Sequence, residues 1–286
     1  MGLDARGIIA IVEIVLYVPI LATSAFLTLR HGLARTSGWI FLVILSIIRI
    51  VGGSIHLASE VGDPNNITLK IVFSILEGAG LSPLLLATIG FLVTVAQHAF
   101  EPSVTRALHL FGMLSGTSLA LTIVGGTKIA NADGDESKLN SGATLRHVGA
   151  ILFLVLYILL FFVHGFYWTQ KHKIMKYRRK LLAGVSTALP FLGVRVLYSV
   201  LSAFSPVLPN SAGGLSKFNS STGAWEIYFF MGIVAEFIVV SVYTFVGIRT
   251  PLQEDYSSTR GMTERWAEDE EDSQYMMSKS GQYGNP

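Results

Sequence analysis

The chain has 286 residues, of which 51% are hydrophobic and only 14% charged, and its formal net charge is +2. A soluble domain carries about 25% charged residues, so this deficit points to a membrane rather than to a soluble globular protein. There are no cysteines, which excludes disulfides, thiolate metal sites and a cysteine nucleophile.

A helix needs about 20 mostly apolar residues to cross a bilayer core. Seven runs meet that length: 7–29, 39–59, 70–97, 104–125, 144–168, 181–204 and 225–248. The expected fold is all-α, a seven-transmembrane helix bundle over residues 1–248. Residues 249–286 carry the acidic stretch Glu268-Asp269-Glu270-Glu271-Asp272 among Ser, Gly, Gln and Tyr. Such a segment buries no core and is expected to be a disordered cytoplasmic tail.

The first run is too long for a cleavable signal peptide and contains Glu13, so it reads as the first helix. Residues spaced by 3, 4, 7 or 11 share a helix face. Glu13, Tyr17 and Ser24 do so on the first helix, and Arg49, Gly53, His56 and Glu60 on the second. On the third, Glu77, Gly80, Leu84 and Thr88 line up. On the sixth, Arg195, Ser199 and Ser202 do, with Tyr198 beside them. On the seventh, Glu236 and Tyr243 are one heptad apart. Gly52-Gly53 and Gly78-Ala79-Gly80 read as sites of close helix approach. Pro19, Pro83 and Pro190 read as kinks.

Lysines and arginines favour the cytoplasmic side of a membrane. One side carries ten: Arg30, Arg35, Arg106, Lys171, Lys173, Lys176, Arg178, Arg179, Lys180 and Arg249. The other carries six, together with Glu60, Asp63, Asp133, Asp135 and Glu136. The N-terminus is therefore expected outside. Two N-glycosylation patterns, at Asn66 and Asn219, fall in loops on that same side. The basic run Lys171–Lys180 reads as an anchor beside anionic headgroups of the lipid bilayer, or as a docking surface for a cytosolic partner, with the C-terminal tail a further candidate contact.

Ionisable residues at membrane depth are costly and mark a functional site by default. Glu13, Arg49, Glu77, Arg195 and Glu236 are five of them on five helices, biased toward the outer half. With His56 and Tyr198 they form the candidate ligand-binding set. The three acids exceed the two arginines by one. The surplus acid has three outlets: it holds a proton, pairs with His56, or faces a cation from a ligand.

Other chemistries lack their residues. No lysine lies within a predicted bilayer core to carry a retinal Schiff base, and the seventh helix has no histidine for a His-x-x-x-His zinc arrangement. His56 and Glu60 lack a third ligand and read as structural, so no metal site and no cofactor is expected. Asn131-Ala132-Asp133-Gly134-Asp135 reads as a turn. There is no phosphate-binding glycine loop, serine nucleophile elbow or nucleic-acid motif. The Asp-Arg-Tyr and Asn-Pro-x-x-Tyr signatures of the large animal receptor classes are also missing.

Four stretches carry a family resemblance. They are Arg30-His31-Gly32 with Ser37-Gly38-Trp39, Arg49-Ile50-Val51-Gly52-Gly53, Gly80-Leu81-Ser82-Pro83-Leu84-Leu85, and Pro190-Phe191-Leu192-Gly193-Val194-Arg195. Over residues 7–248 the chain resembles an uncharacterised family of fungal seven-helix membrane proteins, defined by a domain of unknown function. The resemblance implies a fungal source and a seven-helix fold, and carries no known activity or site.

Three functions fit these residues. The leading one is a receptor- or sensor-like protein binding a small lipophilic or amphiphilic ligand in an intramembrane polar pocket. The second is a membrane-embedded terpenoid cyclase or isomerase, with Glu13, Glu77 or Glu236 as catalytic proton donor and Tyr17, Tyr198 and Tyr243 facing a carbocation. The third is a proton-coupled transporter, which the lack of a visible repeat between the halves disfavours.

Overall fold

The computed structural model describes residues 4–31, 38–62, 67–97, 99, 102–132, 134–206, 214–220 and 222–250. Helix α1 spans Ala5–His31 and α2 spans Trp39–Val61. The third apolar run forms two helices, α3 (Ile67–Ala79) and α4 (Leu81–Ala96), parted at Gly80. Then follow α5 (Pro102–Ala130), α6 (Glu136–Thr169) and α7 (Lys176–Ala203). The last run begins as a single turn, α8 (Trp225–Ile227), passes through a π-helical stretch Tyr228–Val234, and ends as α9 (Ala235–Arg249). Counting α3–α4 and α8–α9 as one span each, seven helices among the described residues are long and apolar enough to cross a membrane.

Several helices are longer than hydropathy predicts. Helix α6 begins at Glu136 rather than near 144, and its 34 residues span about 51 Å. Its first turns exceed the thickness of a hydrocarbon core, so an apolar window misses them while the backbone ladder continues. Asp135 caps that ladder, its side chain accepting from the backbone N–H of Ser137 at 2.9 Å and of Lys138 at 3.4 Å. Gly134, at φ 85°, reverses the chain just before it. Asn131, Gly134 and Asp135 thus belong to a turn and a helix cap.

The helices close into a ring. Around it α1 touches α2, α2 touches α3, α3 touches α5, α5 touches α6, α6 touches α7, α7 touches α9, and α9 returns to α1. Helix α4 fills the middle against α2, α5 and α7. Fourteen of its sixteen residues are buried, as a helix with neighbours on all sides requires. It is fixed by Ser82–Ser115 hydroxyl pairing at 3.0 Å, by Thr88–Tyr243 at 2.8 Å, and by Phe91 packed on Trp39 and Tyr243. Large side chains such as Val15, Phe26, Phe162 and Phe230 point outward, as a lipid-facing surface demands. Helices α5 and α6 approach closely through Gly125, Gly142 and Gly149. A Cβ at Gly142 would meet the Gly125 carbonyl at 2.7 Å, and one at Gly149 the Ser118 carbonyl at 2.9 Å.

Candidate functional site

The five intramembrane charges converge on one point. Glu13, Arg49, Glu77, Arg195 and Glu236 are all buried, none more than 4% exposed. Arg49 is the hub. Its Nε donates to Glu236 Oε1 at 2.5 Å, its Nη2 to Glu236 Oε2, and its Nη1 to Glu77 Oε2. Arg195 bridges the same two acids from the other side, Nε to Glu236 Oε2 at 2.9 Å and Nη2 to Glu77 Oε1 at 2.9 Å. Charge-assisted and bidentate bonds of this kind are the strong ones, and they fix geometry as well as energy.

Local backbone features make the convergence possible. A Cβ at Gly80 would sit 3.0–3.3 Å from the Arg49 guanidinium, so this residue leaves the room that the arginine fills. The break between α3 and α4 also exposes a carbonyl, as helix ends do: Glu77 O accepts from Arg195 Nη2 at 3.0 Å. Gly53 lets α1 close on α2, since a Cβ there would meet Ile14 Cγ1 at 3.0 Å. That approach brings Glu13 to Arg49.

The remaining donors come from hydroxyls. Tyr17 OH donates to Glu236 Oε1 at 2.8 Å and Tyr228 OH to Glu77 Oε2 at 3.4 Å. Ser199 Oγ accepts from Arg195 Nη1 at 2.6 Å, and the Arg195 guanidinium carbon lies 5.7 Å from the Tyr198 ring centre. Glu13 differs from the other two acids. Its nearest cationic group is Arg49 Nε at 3.6 Å, and no described residue donates a hydrogen bond to it.

An aromatic roof covers the cluster on the side of the N-terminus. Phe73, Tyr198 and Tyr228 pack there with Ile9 and Ile233. Above it, His56 lies 4.5 Å from Phe73, ring centre to ring centre, and its Nε2 is 3.7 Å from Glu60 Oε1. The pairing of His56 is thus with Glu60 on its own helix rather than with the surplus acid. Arg6 ties the loop before α8 to α1, donating to the carbonyls of Ser220 at 2.6 Å and Gly223 at 2.5 Å.

The candidate set therefore divides. Glu13, Arg49, Glu77, Arg195 and Glu236 meet, Tyr198 borders them, and His56 stands one layer away. Tyr243 bonds Thr88 and packs on Phe91, a heptad from Glu236. Sequence reasoning missed Tyr228, because the wider π turn, not α periodicity, aims it at Glu77. It also missed Arg178, which lies inside the basic run but is 1% exposed and donates to the carbonyl of Gln97, the C-cap of α4. It passed over a second polar group between α6 and α7, where Trp168 Nε1 donates to His164 Nε2 at 3.0 Å and Ser186 Oγ at 2.8 Å.

Glu77 and Glu236 are turned toward guanidiniums, and among the described residues no group of three or more His, Cys, Asp or Glu is disposed to hold a metal ion. Asn219 is described: its Nδ2 donates to Pro206 O at 3.2 Å and its Oδ1 accepts from Thr222 N at 3.1 Å. Asn66 and the tail from 251 onward lie outside the described residues.

Residues 3–253 match a family model described as Domain of unknown function (DUF7702). No curated protein and no solved structure matches the chain.

Proposed function

From the premise that the chain belongs to the DUF7702 family, a family without an assigned activity, we propose that this multipass membrane protein is receptor- or sensor-like. It binds a small amphiphilic ligand at the charge cluster. The observation that carries this reading is the cluster itself: five buried charges from five helices, floored by ions and roofed by Phe73, Tyr198 and Tyr228. A polar head suits the floor and an apolar body suits the roof. Because α1, α2, α3, α7 and α9 all meet there, a ligand that reorders the ion pairs moves five helices at once. A ligand shifts an equilibrium only by its differential affinity for the two states, and such a hub gives it many contacts to change.

The rest of the proposal concerns orientation. The N-terminus faces outside, with Asn66 and Asn219 as glycosylation sites, and the tail lies in the cytoplasm. The exposed lysines of the 171–180 run meet anionic lipid or a cytosolic partner. The membrane is the plasma membrane or the endoplasmic reticulum, and the source is fungal.

The test is thermal unfolding of the purified protein across a panel of amphiphiles with cationic, anionic and neutral heads. A true ligand at 100 times its Kd adds about 2.7 kcal/mol. Stabilisation by one head-group class, lost in Arg195→Gln, supports the reading. A flat response across the whole panel overturns it.

One observation favours a second reading. Glu13 has a single close ionic contact and no hydrogen-bond donor, which suits an acid that delivers a proton to a terpenoid substrate. Expression with polyprenoid substrates and analysis of products decides between the two.

A further inference from the structure

We propose that Glu13 is a proton-binding site, and that the cluster is neutral as a whole because this one carboxyl carries a proton at neutral pH. Charge, burial and hydrogen bonding all single out this carboxyl, whether or not a ligand is bound.

Glu77 and Glu236 together match the charges of Arg49 and Arg195. Glu236 accepts from Arg49 Nε and Nη2, from Arg195 Nε and from Tyr17 OH. Glu77 accepts from Arg49 Nη1, Arg195 Nη2 and Tyr228 OH. Every one of these bonds favours an ionised acceptor. A proton on either acid would occupy an oxygen that a donor already uses. Glu13 accepts no such bond, so it is the acid that gains least from ionisation. It is 2% exposed, and a buried charge without hydrogen-bonding partners neutralises rather than persists.

A proton also fits the space where a metal cation does not. Arg49 Nε stands 3.6 Å from Glu13 Oε1. A second full positive charge placed on that oxygen would be repelled by the guanidinium, whereas a protonated carboxyl is neutral. The titratable groups facing the site are Tyr17 on α1, Arg49 on α2, and Glu77 on α3. Arg195 and Tyr198 on α7, Tyr228 in the π stretch and Glu236 on α9 complete the set. His56 with its partner Glu60 lies one heptad from Arg49 toward the N-terminal face, about 10 Å along α2.

Removal of the proton leaves one uncompensated negative charge at the meeting point of five helices. Alkaline conditions should therefore loosen the bundle, and the site ties helix packing to pH.

The experiment is infrared difference spectroscopy on the full chain in lipid nanodiscs, paired with unfolding temperature across pH. The expected result is a protonated-carboxyl band in the unaltered protein, abolished by Glu13→Gln and moved in frequency by Glu13→Asp. Glu77→Asp and Glu236→Asp leave its frequency in place. The unfolding temperature should fall as pH rises, with that slope removed in Glu13→Gln. Absence of the band, its survival in Glu13→Gln, or a frequency shift from Glu77→Asp or Glu236→Asp instead would overturn the proposal. So would stability that follows sodium concentration at fixed pH without a protonated-carboxyl band, which would mark a cation site. If Glu13→Gln fails to fold, the frequency shift in Glu13→Asp still decides the matter.

Discussion

Arg49 and Glu236, 187 residues apart in the chain, hold each other by two hydrogen bonds, Nε to Oε1 at 2.5 Å and Nη2 to Oε2. This pair joins the second span to the seventh. Its energetics are asymmetric: a buried ion pair is a weak source of net stability, but breaking one strands a charge.

Glu236→Ala should therefore destabilise the fold by about 3–5 kcal/mol, since it strips a partner from both arginines. Glu236→Ala combined with Arg49→Met should recover part of that loss, because both charges then leave together. Denaturation in mild detergent measures both. Equal losses in the single and double variants would show that the pair is not the energetic link.

Tyr17→Phe removes the hydroxyl that Glu236 Oε1 accepts at 2.8 Å, leaving the ring and its packing in place. A hydrogen bond to a charged group is worth about 1.5–3 kcal/mol. A loss near 2 kcal/mol is expected, and it should shrink in a Glu236→Gln background if the charge gives the bond its strength.

Gly80→Ala tests the space held open for Arg49. The new methyl would lie 3.0–3.3 Å from the guanidinium. Overpacking of this kind costs about 1–3 kcal/mol, and it should also disturb the Glu77 and Glu236 contacts. Gly116→Ala is the control, because a Cβ there meets nothing within 4 Å. Its unfolding temperature should be unchanged or slightly higher.

Arg178→Ala should lower stability by about 2 kcal/mol, since the buried cation bonds the Gln97 carbonyl at the negative end of α4. Lys173→Ala, on the exposed part of the same basic run, should leave unfolding unchanged. Similar losses in both variants would erase the distinction between the buried and exposed members of the run.

Much of this site was legible in the sequence. An arginine or glutamate well inside an apolar run must face protein, so Glu13, Arg49, Glu77, Arg195 and Glu236 announced both their helices and their inward faces. The surplus of one acid was a matter of counting. Which acid was in surplus was not legible, because that depends on which oxygens the guanidinium forks and tyrosine hydroxyls reach. Tyr228 was hidden for a different reason: a π turn shifts side-chain direction without leaving a mark in hydropathy. Arg178 looked like its neighbours because composition does not tell a lysine in water from an arginine folded back onto a helix end. The start of α6 was missed because its polar first turns are held by backbone bonds, the Asp135 cap and close packing on α5 rather than by an apolar face.

The joining of α9 to α1 and α2 through Glu236 has a consequence for biosynthesis. Chains are made from the N-terminus, so Arg49 is delivered long before residue 236 is translated. Until the last span arrives, the two arginines have only Glu13 and Glu77 as carboxylate partners from this cluster. The unfinished chain thus lacks the one acid that accepts from both guanidiniums and from Tyr17. A polypeptide halted before residue 225 holds Arg49 and Arg195 without the carboxylate they share, and the arrival of a single glutamate supplies three bonds to them at once.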